Sequence, residues 1–330
     1  MWAALAGFPR IGEILARDAS ISTHGRVALA AWPAIAAGVW WFAWRRAFPA
    51  PRGAIVRALS THRTGMVGAC GVALLVTAAL LTPLLTAFDP TDLDLRAARA
   101  LPTAAHPLGT DIHGRDLLAR LLYGGRISLT IGLLGVAISA FVGTAVGAAA
   151  GYFGGMIDRA LMWLVDLLLS LPTLLLLIAV VGLYGARGAT VAVLAGILGL
   201  TAWMPVARVV RAEVLSLRER EFVLAARAMG ASDLRIVYRH ILPNALAPVI
   251  VYCSLTVGGM ILAEAALSFL GLGVRPPTPT WGGMVEDGRA ALRTAPWIAT
   301  LPGLAIAVSV MSFNLLGDGL RDALDPRLRR

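Results

Sequence analysis

His106, Asp111, His113 and Asp116 stand close together, and imidazole and carboxylate are the side chains that bind transition metals. Against a metal site, the two histidines are seven residues apart in a stretch rich in Gly and Pro. Carboxylates of such stretches commonly hold turns and helix starts, so no metal site is expected. Cys70 and Cys253 both fall in apolar segments and offer neither a metal spacing nor a disulfide framework. Ser, His and acidic residues are present, but no strand–turn–helix elbow or zinc-type His pair frames them. Gly182–Gly188 (GLYGARG) is too short and apolar for a phosphate loop, and the chain has 29 basic residues of which none is Lys. The lysine of a phosphate loop is therefore impossible. If ATP drives this protein, another chain hydrolyses it. Two ionisable residues remain, Asp166 and Glu264, each inside an apolar segment, where charge is costly and often functional. They either pair within a helical bundle, with an Arg or a backbone group, or line a translocation path. No chain of acids crosses the apolar segments, which argues against a proton relay.

The elements that carry these residues are apolar helices. Of 330 residues 58% are hydrophobic and 15% charged, against about 45–50% and about 25% in soluble domains. The excess lies in runs near the bilayer length of about 20 residues. Six spans are expected: Gly65–Ala87, Ile127–Ala150, Ala160–Leu183, Ala189–Val210, Ala245–Leu270 and Pro296–Leu316. The net charge of +10 comes from arginines clustered between spans, which reads as loop charge and not as a nucleic-acid surface. Arg45, Arg46, Arg52, Arg57 and Arg63 precede the first span, and seven Arg against four acids lie from Arg208, near the end of the fourth, to Arg239, before the fifth. Arg321, Arg327, Arg329 and Arg330 follow the sixth, whereas Asp89–Arg126 holds five Asp and five Arg. Alternating spans put the basic regions on the cytoplasmic side and the loops 88–126 and 271–295 outside.

A further uncharged run, Val27–Trp44, ends in aromatics and Arg45-Arg46, as a span anchored at the interface does. It is read as an extra N-terminal transmembrane helix, a helix lying on the membrane being the alternative. The start of the chain does not read as a cleaved signal, because Arg10, Glu13, Arg17 and Asp18 interrupt it. Gly143, Gly147 and Gly151 are spaced by four in the second span, which lets helix backbones approach closely in lipid.

Glu221–Asn244 (EFVLAARAMGASDLRIVYRHILPN) is polar and punctuated. Glu221–Ala228 holds good helix formers, and Gly230 suits a positive-φ cap. Ser232 and Asp233 suit the start of a second helix. Leu234, Val237, Tyr238 and Ile241 then share one face, with Arg235 and Arg239 on neighbouring turns, and Pro243 is expected to end the helix. That apolar face needs a cover. The membrane surface and a groove on another protein are equally good candidates from the residues alone.

This stretch resembles the EAA loop of permeases from bacterial ABC importers. The matching positions are Ala225, Ala226, Gly230, Ile241, Leu242 and Pro243, while Leu224 stands where the motif has its leading Glu. His106–Gly132, Ala263–Arg289 and Asn314–Arg329 are similar to further stretches of the dipeptide/oligopeptide/nickel permeases, in the order of the C-type subunit (DppC/OppC-like). The resemblance spans about residues 60–330. It implies an all-α polytopic membrane protein of the type I ABC importer permease fold, with six core transmembrane helices besides the N-terminal one. It implies that Ser232–Ile241 is a coupling helix seated in a cleft of an ATPase subunit. Contact there would fall to Ala225, Ala226, Arg227, Gly230, Ser232, Asp233, Arg235, Tyr238, Ile241 and Pro243. The implied partners are two ABC ATPase subunits, a homologous B-type permease forming a heterodimer, and a periplasmic or extracellular solute-binding protein. ATP would be bound by the partner subunits, and this chain would carry no cofactor of its own.

The expected layout is an N-terminal extension over 1–60 with its span at 27–44, the first core helix and outside loop over 61–126, and the permease domain over 127–330. The cytoplasmic coupling loop is 211–244. The expected function is uptake of peptides or related small solutes, nickel complexes among them, across a bacterial or archaeal cytoplasmic membrane. An ion-gradient-driven transporter is the alternative, although no inverted repeat is visible.

Overall fold

The structure is a computed structural model and describes residues 62–184 and 190–324. The extra span expected at 27–44 and the arginines at 327, 329 and 330 lie outside the described residues. Among the described residues there is no strand, only an isolated bridge between Thr110 and Asp116.

Helix α1 is Arg63–Leu85 and α2 is Leu117–Phe153. Two shorter helices follow, α3 (Gly155–Leu169) and α4 (Thr173–Tyr184), then α5 (Val191–Thr201) and α6 (Trp203–Leu217). The polar stretch gives α7 (Glu221–Ala228) and α8 (Asp233–Ile236). Helix α9 is Leu242–Phe269, α10 is Trp281–Arg289 and α11 is Trp297–Leu324. Four helices are each long and apolar enough to cross a membrane, and two bent pairs bring the number to six if each crosses as one.

Those pairs correct the sequence reading. The expected span Ala160–Leu183 is two helices meeting at 90°. Pro172 has no N–H to give and disfavours helical backbone at Leu171. The Ser170 hydroxyl donates to the freed Leu167 carbonyl at 2.7 Å. The expected span Ala189–Val210 bends by 46° at Ala202, where Pro205 withholds the N–H that would have bonded to Thr201. Ser139 of α2 donates to the Ala202 carbonyl across this bend at 2.9 Å.

Helix α2 runs through the middle of the bundle. Its glycines lie against α6, as the spacing by four predicts for close helix approach. A Cβ at Gly143 would meet the Trp203 carbonyl oxygen at 2.7 Å, one at Gly151 the Arg211 oxygen at 2.9 Å, and one at Gly147 would strike the Ala207 oxygen. A second close crossing, of Gly65 and Gly68 on α1 with Gly319 and Leu316 on α11, carries no such periodic signal. The segment between α1 and α2 is folded onto itself. Thr110 Oγ1 accepts from Ala100 N at 2.8 Å and donates to the Ala97 carbonyl. Short α10 packs at this same end of α2, opposite the end that carries α7 and α8.

Candidate functional site

The loop 211–244 is built in three steps. Helix α7 ends in a paired cap: Gly230 N bonds to Arg227 O at 3.0 Å and Ala231 N to Ala226 O at 3.1 Å. This cap needs a left-handed residue between helix and turn, and Gly230 supplies it with φ +79°. Ser232 takes the N-cap backbone conformation, but its hydroxyl makes no cap bond, contrary to the expected cap. Asp233 occupies the first turn of α8, where a negative charge suits the helix dipole.

Pro243 does not end the second helix. Asp233–Phe269 is one continuous helix of 37 residues, so Ser232–Ile241 is the first stretch of a span and not a separate element. The proline is absorbed by a π-turn over Val237–Ile241, in which Leu242 N reaches Val237 O. Widening the turn relieves the clash between the ring and the carbonyl four residues back. Asn244 Nδ2 then takes the His240 carbonyl at 2.7 Å.

The π-turn also corrects the apolar face. Ile236 and Ile241, five residues apart, are both fully buried. They pack with Val214, Val223, Ala226 and Tyr152 of α2. Leu234 and Tyr238, expected on one face with Ile241, each stand 67% exposed, and Leu224 and Met229 are exposed as well. Val237 is partly buried. Ala225, Arg227, Gly230, Ser232 and Arg235 are exposed, Ala226 is buried, and Pro243 is partly covered.

The sequence missed Tyr152. Its hydroxyl donates to Asp233 Oδ1 at 2.6 Å and accepts from Arg227 Nη2 at 3.3 Å, and the Arg227 guanidinium lies 5.8 Å from its ring centroid. A lone tyrosine at the end of an apolar run gives no signal of such partners.

Of the two acids inside apolar segments, Asp166 pairs with Arg208 of α6 and remains exposed. Nearby, Arg211 grips Asp158 with both Nε and Nη2. Glu264 is wholly enclosed and lines no surface here. Its partners are hydroxyls, neither an Arg nor a backbone group. Ser128 donates to Oε2 at 3.2 Å and Ser268 to Oε1 at 2.7 Å, with Thr280 a third partner. The carboxylate thus joins α2, α9 and the start of α10.

The four residues that suggested a metal are occupied otherwise. His106 Nδ1 lies 2.8 Å from Asp116 Oδ2, and Asp116 Oδ1 caps α2 by accepting from Ala119 N at 2.7 Å. Asp111 Oδ1 holds a turn through the backbone N–H groups of His113 and Arg115 at 2.8 and 3.0 Å. Its Oδ2 accepts from Arg115 Nε at 2.6 Å. Arg115 and Arg120 both donate to Asp287 Oδ2 of α10, each at 2.9 Å. Arg120 Nε also lies 3.3 Å from Asp111, close enough for charge attraction but off hydrogen-bond geometry. This buried cluster of two Arg and two Asp ties the start of α2 to α10. Among the described residues no group of three or more His, Cys, Asp or Glu is placed to hold a metal ion.

A bundle of bent and continuous spans with a packed polar loop at one end is a multi-pass helical membrane protein, and comparison with known proteins gives the family. Residues 143–330 match the model of the binding-protein-dependent transport system inner membrane component. Residues 51–102 match the N-terminal TM domain of oligopeptide transport permease C. The chain belongs to this family of inner-membrane transport components. It is 39% identical to the dipeptide transport system permease protein DppC of Alkalihalophilus pseudofirmus, over 87% of this chain and 90% of that one. It is 41% identical to the oligopeptide transport system permease protein OppC of Mycobacterium tuberculosis, over 86% and 97%. It is 43% identical to the glutathione transport system permease protein GsiD of Pectobacterium atrosepticum, over 69% and 75%. Among solved structures, the inward-facing MetNI methionine ABC transporter aligns at a TM-score of 0.47 and 19% identity, over 62% of this chain and 97% of that chain. The chain is therefore a multi-pass permease component and not a catalytic subunit. Membership implies ATPase and substrate-binding partners in a membrane assembly, and decides against the ion-gradient-driven alternative.

Proposed function

We propose that this chain is the C-type permease subunit of an ATP-driven importer of short peptides and related small solutes, nickel complexes among them. In this reading the EAA-type loop 211–244 seats ATPase subunits on the cytoplasmic side, and the C-terminus lies on that side too. The carrying observation is the four large apolar side chains that the loop leaves exposed, Leu224, Met229, Leu234 and Tyr238, on helices packed through Val223, Ala226, Ile236 and Ile241. Exposed apolar patches on rigid supports mark interaction sites. The continuous helix speaks for a protein groove over the membrane surface as the cover. At about 1.5 Å per residue, the 37 residues of Asp233–Phe269 reach roughly 55 Å, well beyond the hydrocarbon core of about 30 Å. Leu234 and Tyr238 sit at the far polar end of that helix, projecting away from lipid and not lying along it. Two ATPase subunits, one under each half of a heterodimer with a homologous B-type permease, complete the assembly. A solute-binding protein docks on the loops 88–126 and 271–295. ATP is bound by the ATPase subunits, and this chain needs no cofactor.

The test is purification of the tagged chain from its native membrane in mild detergent, with mass spectrometry of what accompanies it. Two ATPases, a sister permease and a binding protein are expected, and the solute eluted from that binding protein identifies the cargo. A Leu234→Asp, Tyr238→Asp variant should keep the sister permease and lose the ATPases. A wild-type chain that purifies alone, from an extract in which such ATPases stay intact in other complexes, refutes the reading.

A further inference from the structure

Helix α2 is clasped at both ends by side chains that its insertion in a membrane does not require. At the loop end, Tyr152 holds Asp233 at 2.6 Å and receives Arg227 at 3.3 Å, one partner from each of α8 and α7. Arg218 adds a bond to the Gly151 carbonyl at 3.1 Å. At the other end, Arg120 and Arg115 meet Asp287 of α10, both at 2.9 Å. Close by, Ser128 bridges α2 to Glu264 and accepts from Trp281 N at 3.1 Å. Both clasps lie on a single helix of 37 residues, with Arg120 and Tyr152 roughly 48 Å apart along it at about 1.5 Å per residue. Its interior contains no proline. Rigid secondary elements joined to hydrogen-bond and salt-bridge networks can carry coupling over such distances.

We infer that Tyr152 is the positioning residue through which movement of the ATPase-docking loop enters α2, and that α2 carries it to α10 through the Arg120–Asp287 contact. Tyr152 does this from inside the fold: it is buried, at 7% exposure, behind the exposed Arg227 and Asp233 that it bonds. Both Tyr152 partners sit on the loop itself, so a rocking of α7 and α8 pulls on one phenol oxygen. At the far end the Arg pair binds α10 through one carboxylate oxygen, so α10 follows the start of α2. The close glycine-lined contact of α2 with α6 makes the two move as one body. This rests on the docking reading proposed above.

The test uses the whole complex in lipid nanodiscs, with nitroxide labels replacing Leu93 and Leu292, both exposed at the α10 end. Electron–electron double resonance reads their separation with and without Mg–ATP and vanadate. Three forms are compared: unaltered, Tyr152→Phe and Asp287→Asn. In the unaltered complex nucleotide should shift the distance distribution. Tyr152→Phe keeps the ring and its packing and loses only the hydroxyl. It should retain the ATPases and their hydrolysis while the shifted fraction falls at least about twofold. Asp287→Asn should do the same from the other end. A full shift in Tyr152→Phe overturns the inference. Loss of the ATPases from Tyr152→Phe also overturns it, because the residue would then shape the docking face only. If the unaltered complex holds no ATPases, the docking reading itself has failed, an outcome distinct from both.

Discussion

At the scale of single residues, two positions concentrate the chemistry. Gly230 holds φ +79° and nothing lies within 4 Å of a Cβ built there, so a side chain meets open space and the penalty is backbone strain alone. Left-handed backbone costs an ordinary residue roughly 1–2 kcal/mol, and a β-branched one more. Gly230→Val should relieve this by abandoning the Ala231–Ala226 cap bond and turning α8 away from α7. The variant should insert in the membrane and melt near the wild-type temperature, yet lose ATPase co-purification or uptake. Normal coupled uptake would refute the role of the break. Glu264 is the second position. Its three hydroxyl partners give a clean contrast between two variants. Glu264→Gln keeps an acceptor and the volume, whereas Glu264→Ala leaves buried hydroxyls unmet, at about 1–3 kcal/mol for each such group. Thermal melts in detergent should place Gln near wild type and Ala well below it. An alanine variant as stable as wild type would mean that the enclosed carboxylate joins nothing of consequence.

At the scale of elements, periodicity was legible and its interruptions were only half so. The apolar runs located the four long spanning helices and the two bent pairs, and the glycines at 143, 147 and 151 announced the close helix contact that α2 makes with α6. Proline was harder to read, because its effect depends on where the lost hydrogen bond falls. Pro172 and Pro205 turn expected straight spans into bends of 90° and 46°. Pro243, expected to stop a helix, is carried through by one π-turn. That extra residue per turn brings Ile236 and Ile241 to the buried side and leaves Leu234 and Tyr238 exposed, where a 3.6-residue reading groups Ile241 with them. Pro243→Ala removes the reason for the wide turn. Hydrogen–deuterium exchange should then show an ordinary helical ladder over 237–241. The register upstream should rotate by about one residue, roughly 100° for a helix of 3.6 residues per turn, and ATPase binding should fall. Unchanged ATPase binding alongside the regular ladder would show that the bulge does not set the docking face.

At the scale of the whole molecule, the prediction concerns sidedness. In a chain with Cys70 and Cys253 replaced by Ser, a single Cys at Leu292 should react with a membrane-impermeant maleimide added to intact cells. A single Cys at Met229 should react only after lysis, and the reverse pattern would invert the proposed orientation. The amino-acid sequence by itself determined that this is a polytopic helical membrane protein, roughly where its apolar runs lie, which loops are basic, and which stretch breaks the apolar pattern. Composition and spacing decide these because lipid admits few structures and each leaves a periodic mark. Only the tertiary structure decided who pairs with whom. It gave the His and Asp residues of the loop before α2 their partners: a cap, a turn and an Arg cluster. It gave Glu264 three hydroxyls, and it brought Tyr152 to Asp233, 81 residues away in the chain. Such pairings depend on helix bends and on a register set by a single π-turn, and neither leaves a local signature in the order of residues.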